Sequence, residues 1–265
     1  MPQLKTSDKE HPYELDVKTK LLESRSLFGN LGKSTVISEK SIPDFSVIAD
    51  LLVFSENYGI IGIEIKTEHD STQRLNKQLK AYEAISTEVW VVVHDSLYAH
   101  AYKVLENNNH PHVGIISYSV FEGDIIFGKL REPTTSPNFR VEYILNLLTK
   151  RELLMLARRV ASGSRGDVDA GVYGSMRDGH SSAITYRSSK HMLIQTIIHY
   201  MGRLGAYQVV VDTIVNTPYT PDKDNYSVAT HVKKYHFANP DDKEDAEKLH
   251  IVNGNERTQA GWIPK

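Results

Sequence analysis

The amino-acid sequence predicts an α/β fold that is followed by a smaller helical region. Up to about residue 130, apolar residues recur with helix and strand periods in the order helix, three strands, helix, strand, helix and two strands. Residues 88–94 (EVWVVVH) are too apolar for anything other than a buried strand. Beyond residue 140 the apolar pattern is helical. These observations favour a central sheet flanked by helices.

The first four elements are predicted from period and turn signals. Val17, Leu21 and Phe28 recur at helical spacing, which predicts a helix over residues 14–28 that ends at Gly29. Strands are predicted over residues 34–42, 45–54 and 60–67. The intervening residues 55–59 (SENYG) are typical of a turn, so the last two strands form a hairpin.

The remaining elements of the α/β unit follow in the same way. Asp70, Ser71 and Thr72 are candidate caps for a helix that runs to about Ile85. The strand over residues 88–94 comes next. A helix near residues 97–105 and short strands near 114–118 and 124–127 complete the unit.

The chain divides into four predicted regions. Residues 1–131 form the α/β core, and the Pro/Thr/Ser-rich stretch within 132–140 is a linker. Residues 141–210 are helical and basic, with a Gly- and Ser-rich loop over 161–178. Residues 211–265 are a polar tail with few aliphatic clusters, which we expect to be partly disordered.

Composition limits the chemistry that this chain can perform. It contains no cysteine, which excludes disulfides, thiolate zinc sites and a cysteine nucleophile, so a metal must bind through oxygen or imidazole. The net charge of −2 gives no global nucleic-acid signal. No apolar run is long enough to span a membrane and no secretory signal is recognisable, so we expect no membrane association and a cytoplasmic location.

The predicted hairpin brings two carboxylates together. If its turn centres near Asn57, antiparallel partners have residue numbers that sum to about 114, so Asp50 lies opposite Glu64. Directly opposed residues have Cβ atoms about 5 Å apart. The strand period of two places Lys66 on the same face as Glu64.

Two carboxylates at this spacing repel each other unless a cation lies between them. The arrangement therefore predicts a Mg²⁺ or Mn²⁺ site, to which the backbone carbonyl of Ile65 could add a ligand. Lys66 would hold the attacking water or stabilise charge on a phosphate. This combination is typical of phosphodiester hydrolysis. As an alternative, the three charged side chains form a structural ion pair.

The motif resembles that of the PD-(D/E)XK, or restriction-endonuclease-like, nuclease superfamily. The resemblance lies in Asp50, thirteen intervening residues, and then Glu64-Ile65-Lys66. It implies an αβββαβ core with a mixed sheet, and it covers about residues 10–130. Within the superfamily the chain is similar to a small bacterial and phage branch of largely uncharacterised proteins. The residues that recur in this branch correspond here to Glu39, Asp50, Glu64, Ile65, Lys66, Asp70, Arg74, Leu75, Gln78 and Tyr82.

Two positions depart from the superfamily pattern. The superfamily name suggests Asp44, but residue 44 would lie about 20 Å along the strand from Glu64, so Asp50 is preferred. In many members a further acid lies on the leading helix, which here offers Glu14 and Glu23. The branch resemblance instead indicates Glu39. All three remain candidates, with Glu39 favoured.

Candidate DNA contacts fall in two places. Arg74, Gln78 and Tyr82 recur at i, i+4 and i+8 and form one helix face, which either lines a DNA groove or is simply solvated. Asp70 is interpreted as a helix cap. The second place is the region from 150 to 203, which has nine basic and four acidic residues and includes Arg158, Arg159 and Lys190. Solvated helix faces are the commoner explanation of such an excess.

Twelve histidines invite a metal-site interpretation. However, His110 and His112 lie in an Asn-rich loop, and His94 ends a strand without a spaced partner. We interpret all three as structural or exposed.

The leading hypothesis is a Mg²⁺- or Mn²⁺-dependent deoxyribonuclease with DNA as its partner, acting as a homodimer if both strands are cut at one place. Two alternatives remain. One is a module of the same fold that binds nucleic acid or protein without cutting. The other is a structural component of a phage or mobile-element assembly.

Overall fold

The computed structural model describes residues 11–162 and 184–216, together with the backbone of 234–237. The α/β class is as predicted, with a mixed sheet and packed helices. In chain order the elements are α1 (Glu14–Glu23), β1 (Ser34–Ile42), β2 (Val47–Ser55), β3 (Gly59–Lys66), α2 (Leu75–Ile85), β4 (Glu88–His94), α3 (Tyr98–Asn107), β5 (Gly114–Phe121), β6 (Asp124–Arg131), α4 (Val141–Asn146), α5 (Lys150–Ser162), α6 (Lys190–Asn216) and β7 (Lys234–Phe237).

Several element boundaries differ from the sequence prediction, among them the ends of β5 and β6, which extend to Phe121 and Arg131. The first helix ends at Glu23, and a separate 3-10 turn covers Arg25–Phe28. The second strand begins at Val47, because a 3-10 turn over Pro43–Phe45 and a left-handed Ser46 (φ 50°) precede it. The helix expected from residue 70 begins at Leu75.

The sheet has the strand order β6-β5-β4-β3-β2-β1-β7. The strands of the β2–β3 hairpin are antiparallel, as a short turn requires. The α2 connection makes β3 and β4 parallel, and α3 does the same for β4 and β5. The parallel strands therefore lie at the centre of the sheet, which explains the continuous burial of β3 and almost all of β4.

Helices cover both faces of the sheet. On one face, Val17 and Leu21 of α1 pack with Ile63 and Ile65 of β3 and with Trp90 of β4. On the other face, a single larger cluster joins the sheet to α2, to α3 and to the C-terminal helices α4, α5 and α6. Burial of these two clusters supplies the main driving force for folding.

The C-terminal helices share this larger core with the sheet. Ile144, Leu153 and Ile197 belong to the same buried cluster as Leu52 and Val91. The segment over residues 132–140 is held against the core by backbone hydrogen bonds, of which Ser136 N–H to Thr87 C=O measures 2.8 Å and Arg140 N–H to Ala84 C=O 2.9 Å. The predicted linker is thus tied to the α/β unit along its length.

The last described helix extends beyond the predicted limit of 210. α6 ends at Asn216, with Val211, Ile214 and Val215 buried, and it kinks at Gly202, whose φ is 69°. Ala161 and Ser162, predicted to begin a loop, are instead the last residues of α5. The rest of that loop, 163–178, and most of the tail, 217–233 and 238–265, lie outside the described residues. The backbone of β7 pairs antiparallel with β1.

Across the described part of the chain, no helix is both long enough and apolar enough to cross a membrane.

Candidate active site

The β2–β3 hairpin has the predicted register. Leu51 pairs with Ile63 and Phe54 with Ile60, so the partner numbers sum to 114. Regular pairing stops at Leu51 and Ile63, and Asp50 and Glu64 are the next residues of the two strands. The Oδ2 atom of Asp50 accepts a hydrogen bond from the backbone N–H of Ile65 at 2.8 Å. The Asp50 carboxylate therefore lies against β3 at the point where the two strands separate.

The Tyr82 hydroxyl bridges the two strands at this point. It accepts a hydrogen bond from the backbone N–H of Asp50 at 2.7 Å and donates one to the carbonyl of Ile63 at 3.1 Å. Gly62 makes room for the ring, because a Cβ atom there would lie 2.5 Å from Tyr82 Cδ1. Burial raises the pKa of Tyr82 well above its usual value, as do the charges of Glu64 and Asp50. The hydroxyl therefore stays protonated and able to donate.

Glu64 and Lys66 lie next to Asp50. Glu64 is completely buried, and Lys66 is only 6% exposed. Oε1 of Glu64 contacts the Lys66 ammonium group. The other oxygen, Oε2, has no hydrogen-bond partner among the described residues. The Tyr82 hydroxyl, which donates to Ile63, lies close enough to oppose in part the rise in the pKa of Glu64. A buried carboxylate oxygen without a donor is costly unless a cation binds it.

The two carboxyl groups destabilise each other's charge. The pKa of Asp50 is raised well above its usual value by burial and by the charges of Glu64 and Glu14, against the opposing hydrogen bond from Ile65. Burial also raises the pKa of Glu64, although the Lys66 charge works in the other direction. The site thus favours a cation or a proton between Asp50 and Glu64.

Lys18 of α1 adds a second ammonium group, which the sequence analysis missed. Its Nζ lies 2.5 Å from Glu14 Oε1 and also contacts Glu39. Burial alone would lower the pKa of Lys18, but hydrogen bonds to Glu14 and Glu39 and the charge of Asp50 raise it overall. The sequence did offer a sign of this contact, because Lys18 lies between Val17 and Leu21 on the apolar face of the predicted helix. A charged side chain on such a face needs partners of opposite charge.

The structure separates the three candidate acids. Glu39 has a left-handed backbone (φ 53°) and lies opposite Asp50 in the β1–β2 ladder, between the pairs Ser38–Leu51 and Lys40–Ala49. Glu14 influences both Asp50 and Glu64 electrostatically. Glu23 is exposed at the far end of α1, about 13 Å along the helix from Glu14. Glu14 and Glu39 therefore remain as candidates, and Glu23 lies away from the site.

Two other aspartates have local partners. Asp44 accepts a hydrogen bond from Asn146 Nδ2 at 2.8 Å. As expected, it lies outside the acidic site, by which we mean Asp50, Glu64 and the groups that contact them. Asp70 Oδ2 accepts from both the N–H and the hydroxyl of Thr67, each at 2.8 Å. The interpretation of Asp70 as a helix cap is wrong, because α2 begins after Arg74 and Asp70 closes the turn that follows β3.

The predicted DNA-contacting stripe on α2 is only partly at the surface. Arg74 is exposed and Gln78 is partly exposed. Tyr82 is completely buried, so the prediction that it lines a DNA groove is corrected: its hydroxyl holds β2 and β3 instead. An i, i+4, i+8 pattern identifies a common face of a helix, but it does not say where along the helix the sheet begins to cover that face.

Two of the predicted basic DNA contacts have structural partners. Arg158 Nε donates to the carbonyl of Ile184 at 2.9 Å, and Lys190 Nζ donates to the carbonyl of Asn146 at 3.0 Å. Burial lowers the pKa of Lys190. Arg159 is exposed on α5. The Arg158 and Lys190 contacts stabilise the packing of the C-terminal helices.

The sequence analysis also missed a cluster of Glu83, His110 and His112. In the described part of the chain, this is the group of three histidine or acidic residues whose potential ligand atoms all lie within 4.8 Å of one another. Only the His-Pro-His spacing before β5 could have signalled it, because Glu83 is far from both histidines in sequence.

The donor set around Asp50 and Glu64 fits a hard divalent cation. Carboxylate and carbonyl oxygens are the ligands that Mg²⁺ and Mn²⁺ prefer, and Glu64 Oε2 is a buried oxygen with no hydrogen-bond partner in the described residues.

Comparison with known proteins identifies the family. A family model described as bacteriophage P4 protein cII matches residues 7–214, so the chain belongs to this phage protein family. Protein cII of Enterobacteria phage P4 is 26% identical over 140 residues, which are 53% of this chain and 51% of the relative. The chain thus spans about half the length of this curated relative. No solved structure matches.

Proposed function

We propose that this protein is a divalent-metal-dependent nuclease that hydrolyses DNA phosphodiester bonds at Asp50, Glu64 and Lys66. The observation that carries the proposal is the buried Glu64 carboxylate, whose Oε2 has no hydrogen-bond partner among the described residues and which lies across the hairpin from Asp50. Carboxyl groups whose pKa values are raised by burial and by each other's charge cluster at functional sites.

The side chains of Asp50 and Glu64 and the backbone carbonyl of Ile65 would hold Mg²⁺ or Mn²⁺, with Glu14 or Glu39 as the further acid. When bound, such an ion supplies positive charge for the phosphate and lowers the pKa of a coordinated water. For this to happen, the Lys18 ammonium must release Glu14 or Glu39, both of which it contacts.

Lys66 has the second chemical role. Its ammonium group contacts Glu64 Oε1, so it can donate a hydrogen bond to an attacking water or to a phosphate oxygen beside that carboxylate. Tyr82 holds the backbone of Asp50 in position and so acts through Asp50 rather than on the substrate.

Two further observations support a nuclease of the restriction-endonuclease-like type. The elements from α1 to β4 follow the order helix, three strands, helix, strand, and the candidate acids lie on the second and third strands. Membership of a phage family is compatible with a DNA substrate in the bacterial cytoplasm. Arg74, just before α2, and Gln78 on α2 are candidate contacts for the DNA backbone.

The second candidate is a non-cleaving module of the same fold that binds nucleic acid or protein. The presence of Asp50, Glu64 and Lys66 together favours the nuclease, because a module that only binds gains nothing from two adjacent acids that raise each other's pKa. A structural role in a phage assembly is compatible with the family membership alone.

The decisive experiment compares the protein and its Glu64→Gln variant on supercoiled, linear and single-stranded DNA with Mg²⁺, Mn²⁺ or EDTA. We expect metal-dependent cleavage by the parent and a loss of at least about 100-fold in the variant. Glu68→Gln is the matched control, because Glu68 follows the same strand but pairs with His11 at the surface, at 2.7 Å. Equal cleavage by parent and Glu64→Gln, or no cleavage by the parent, would overturn the proposal in favour of the binding module.

A further inference from the structure

A buried polar cluster lies at the C-terminal end of α2, separate from the acidic site. It consists of Glu83 on α2 and of His110 and His112 in the turn before β5. Their side chains are 1%, 2% and 7% exposed. Both histidines approach the same carboxylate oxygen, Oε1 of Glu83: His110 through Nδ1, and His112 through Nε2 at 3.0 Å.

The direct contacts in this cluster are unfavourable when both histidines are neutral and carry their protons on the ring nitrogens that face away from Glu83. His110 Nε2 lies 3.0 Å from Asn76 Oδ1. An amide oxygen only accepts hydrogen bonds, so Nε2 carries the proton of the neutral ring and the lone pair of Nδ1 faces Glu83. His112 Nε2 is buried and lacks hydrogen-bond geometry to any partner in the described residues. In that neutral state, three electron-pair donors (Glu83 Oε1, His110 Nδ1 and His112 Nε2) converge on one point.

Other polar groups orient these three donors. Asn138 Nδ2 donates to the second carboxylate oxygen of Glu83 at 2.9 Å, and the Ser136 hydroxyl donates to the Glu83 backbone carbonyl at 2.8 Å. Asn76 fixes the His110 ring. Metal-binding histidines and carboxylates are commonly held in this way by hydrogen bonds on the side away from the metal.

We propose that Glu83, His110 and His112 bind a zinc-type divalent transition-metal ion, with water as a fourth ligand. Two imidazoles and one carboxylate suit Zn²⁺ better than Mg²⁺, which prefers an all-oxygen set. Ligand atoms around a tetrahedral Zn²⁺ are about 3.3 Å apart, given metal–ligand distances of about 2.0 Å. The 3.0 Å between His112 Nε2 and Glu83 Oε1 requires a small outward shift to admit the ion, and the closer contact between His110 Nδ1 and the same oxygen must open further.

The ion would have a structural effect. It would connect α2 to the turn before β5 and, through Asn138 and Ser136, to the segment that leads to the C-terminal helices. The same helix carries Tyr82, which holds Asp50. The site would therefore stabilise the element on which the acidic site depends, but it would bind its metal whether or not that site cuts DNA.

The test uses the untagged full-length chain, stripped with a chelator and titrated with Zn²⁺ by calorimetry and with Co²⁺ by absorption spectroscopy. We expect one equivalent of Zn²⁺ to depend on the cluster and tetrahedral Co²⁺ bands to appear. Both should be lost in Glu83→Gln and His112→Gln. They should persist in His100→Gln, which alters an exposed histidine on α3, and in Asp50→Asn, which alters the other site.

Two results would overturn the proposal. One is a parent protein that binds no Zn²⁺ or Co²⁺ at micromolar concentrations, which would leave a network held together by protonated histidine. The other is the same Zn²⁺ stoichiometry and the same tetrahedral Co²⁺ bands in the folded Glu83→Gln and His112→Gln variants as in the parent. If circular dichroism shows that these variants do not fold, the test relies on the parent protein. Its melting temperature should then be higher with Zn²⁺ than with EDTA. If neither this increase nor the tetrahedral Co²⁺ bands are observed, the site is rejected.

Discussion

The hydroxyl of Tyr82 lies 2.7 Å from the backbone nitrogen of Asp50 and accepts its hydrogen bond. This contact links α2 to β2 at the residue where regular β2–β3 pairing has ended. The position of the Asp50 carboxylate therefore depends on how α2 packs on the sheet.

Replacing Tyr82 by Phe should impair the acidic site more than the fold. Removal of the hydroxyl leaves the ring packing intact and costs about 1 kcal/mol of stability. Because the Asp50 N–H and Ile63 C=O lose their shared partner, we expect weaker Mn²⁺ binding and a higher metal concentration for half-maximal cleavage. Tyr118→Phe is the control, since Tyr118 is equally buried but its hydroxyl has no hydrogen-bond partner in the described residues. The same metal dependence in both variants would contradict a positioning role for Tyr82.

Replacing Asp50 by Asn should stabilise the metal-free protein. Burial and the Glu64 charge raise the pKa of Asp50, so the native state keeps a proton at pH values where the unfolded chain has lost it. The parent's stability should therefore fall as pH rises from about 3.9, the ordinary aspartate value, through the raised native pKa. The variant lacks this decrease and should melt higher at neutral pH, by about 2–4 °C for each kcal/mol gained.

Thermal unfolding in EDTA across pH 4 to 8 would measure this difference. Asp44→Asn is the matched control, because Asp44 is exposed and hydrogen-bonded to Asn146. Added Mn²⁺ should raise the melting temperature of the parent and have much less effect on Asp50→Asn. A variant that is less stable than the parent at neutral pH would show that the Asp50 carboxylate contributes to the fold.

The hairpin register could be predicted from sequence, but the surroundings of Tyr82 could not. The centre of a short turn fixes which residues of the two strands of a hairpin face each other, and this brought Asp50 and Glu64 together. Whether Tyr82 on α2 reaches solvent depends instead on Gly62. Because Gly62 has no side chain, the Tyr82 ring can pack directly against the sheet.

The Glu83 cluster was missed for a related reason. His110 and His112 are near each other in sequence, but the carboxylate that both contact belongs to Glu83 on α2, 27 residues before His110. Local patterns carry no information on such a contact. From sequence, Lys190 is likewise expected to be a surface charge. Only the packing of α6 places its ammonium group beside the carbonyl of Asn146.

Replacing Lys66 by Ala should separate metal binding from cleavage. The Lys66 ammonium contacts Glu64 and repels a cation, so its loss should leave Mn²⁺ binding unchanged or tighter. Cleavage should fall by about 100-fold or more, because the group that acts on water or phosphate is gone. Calorimetry with Mn²⁺ beside a cleavage assay measures both effects. Lys77→Ala, at an exposed position on α2, is the control, and parallel loss of metal binding and cleavage in Lys66→Ala would mean that Lys66 only maintains the site.

Arg74 should contribute to the salt dependence of DNA binding, whereas Lys190 should not. Arg74 is exposed at the start of α2, and a phosphate contact there would release about one counterion, so Arg74→Ala should reduce the slope of log K against log salt by about 1. Lys190 is partly buried and donates to Asn146, so Lys190→Ala should leave the slope unchanged. Fluorescence anisotropy between 50 and 200 mM salt, with Glu64→Gln as the non-cleaving background, would measure both slopes. Equal slopes for Arg74→Ala and the background would remove α2 from the DNA interface, and a reduced slope for Lys190→Ala would mean that its ammonium leaves Asn146 to bind phosphate.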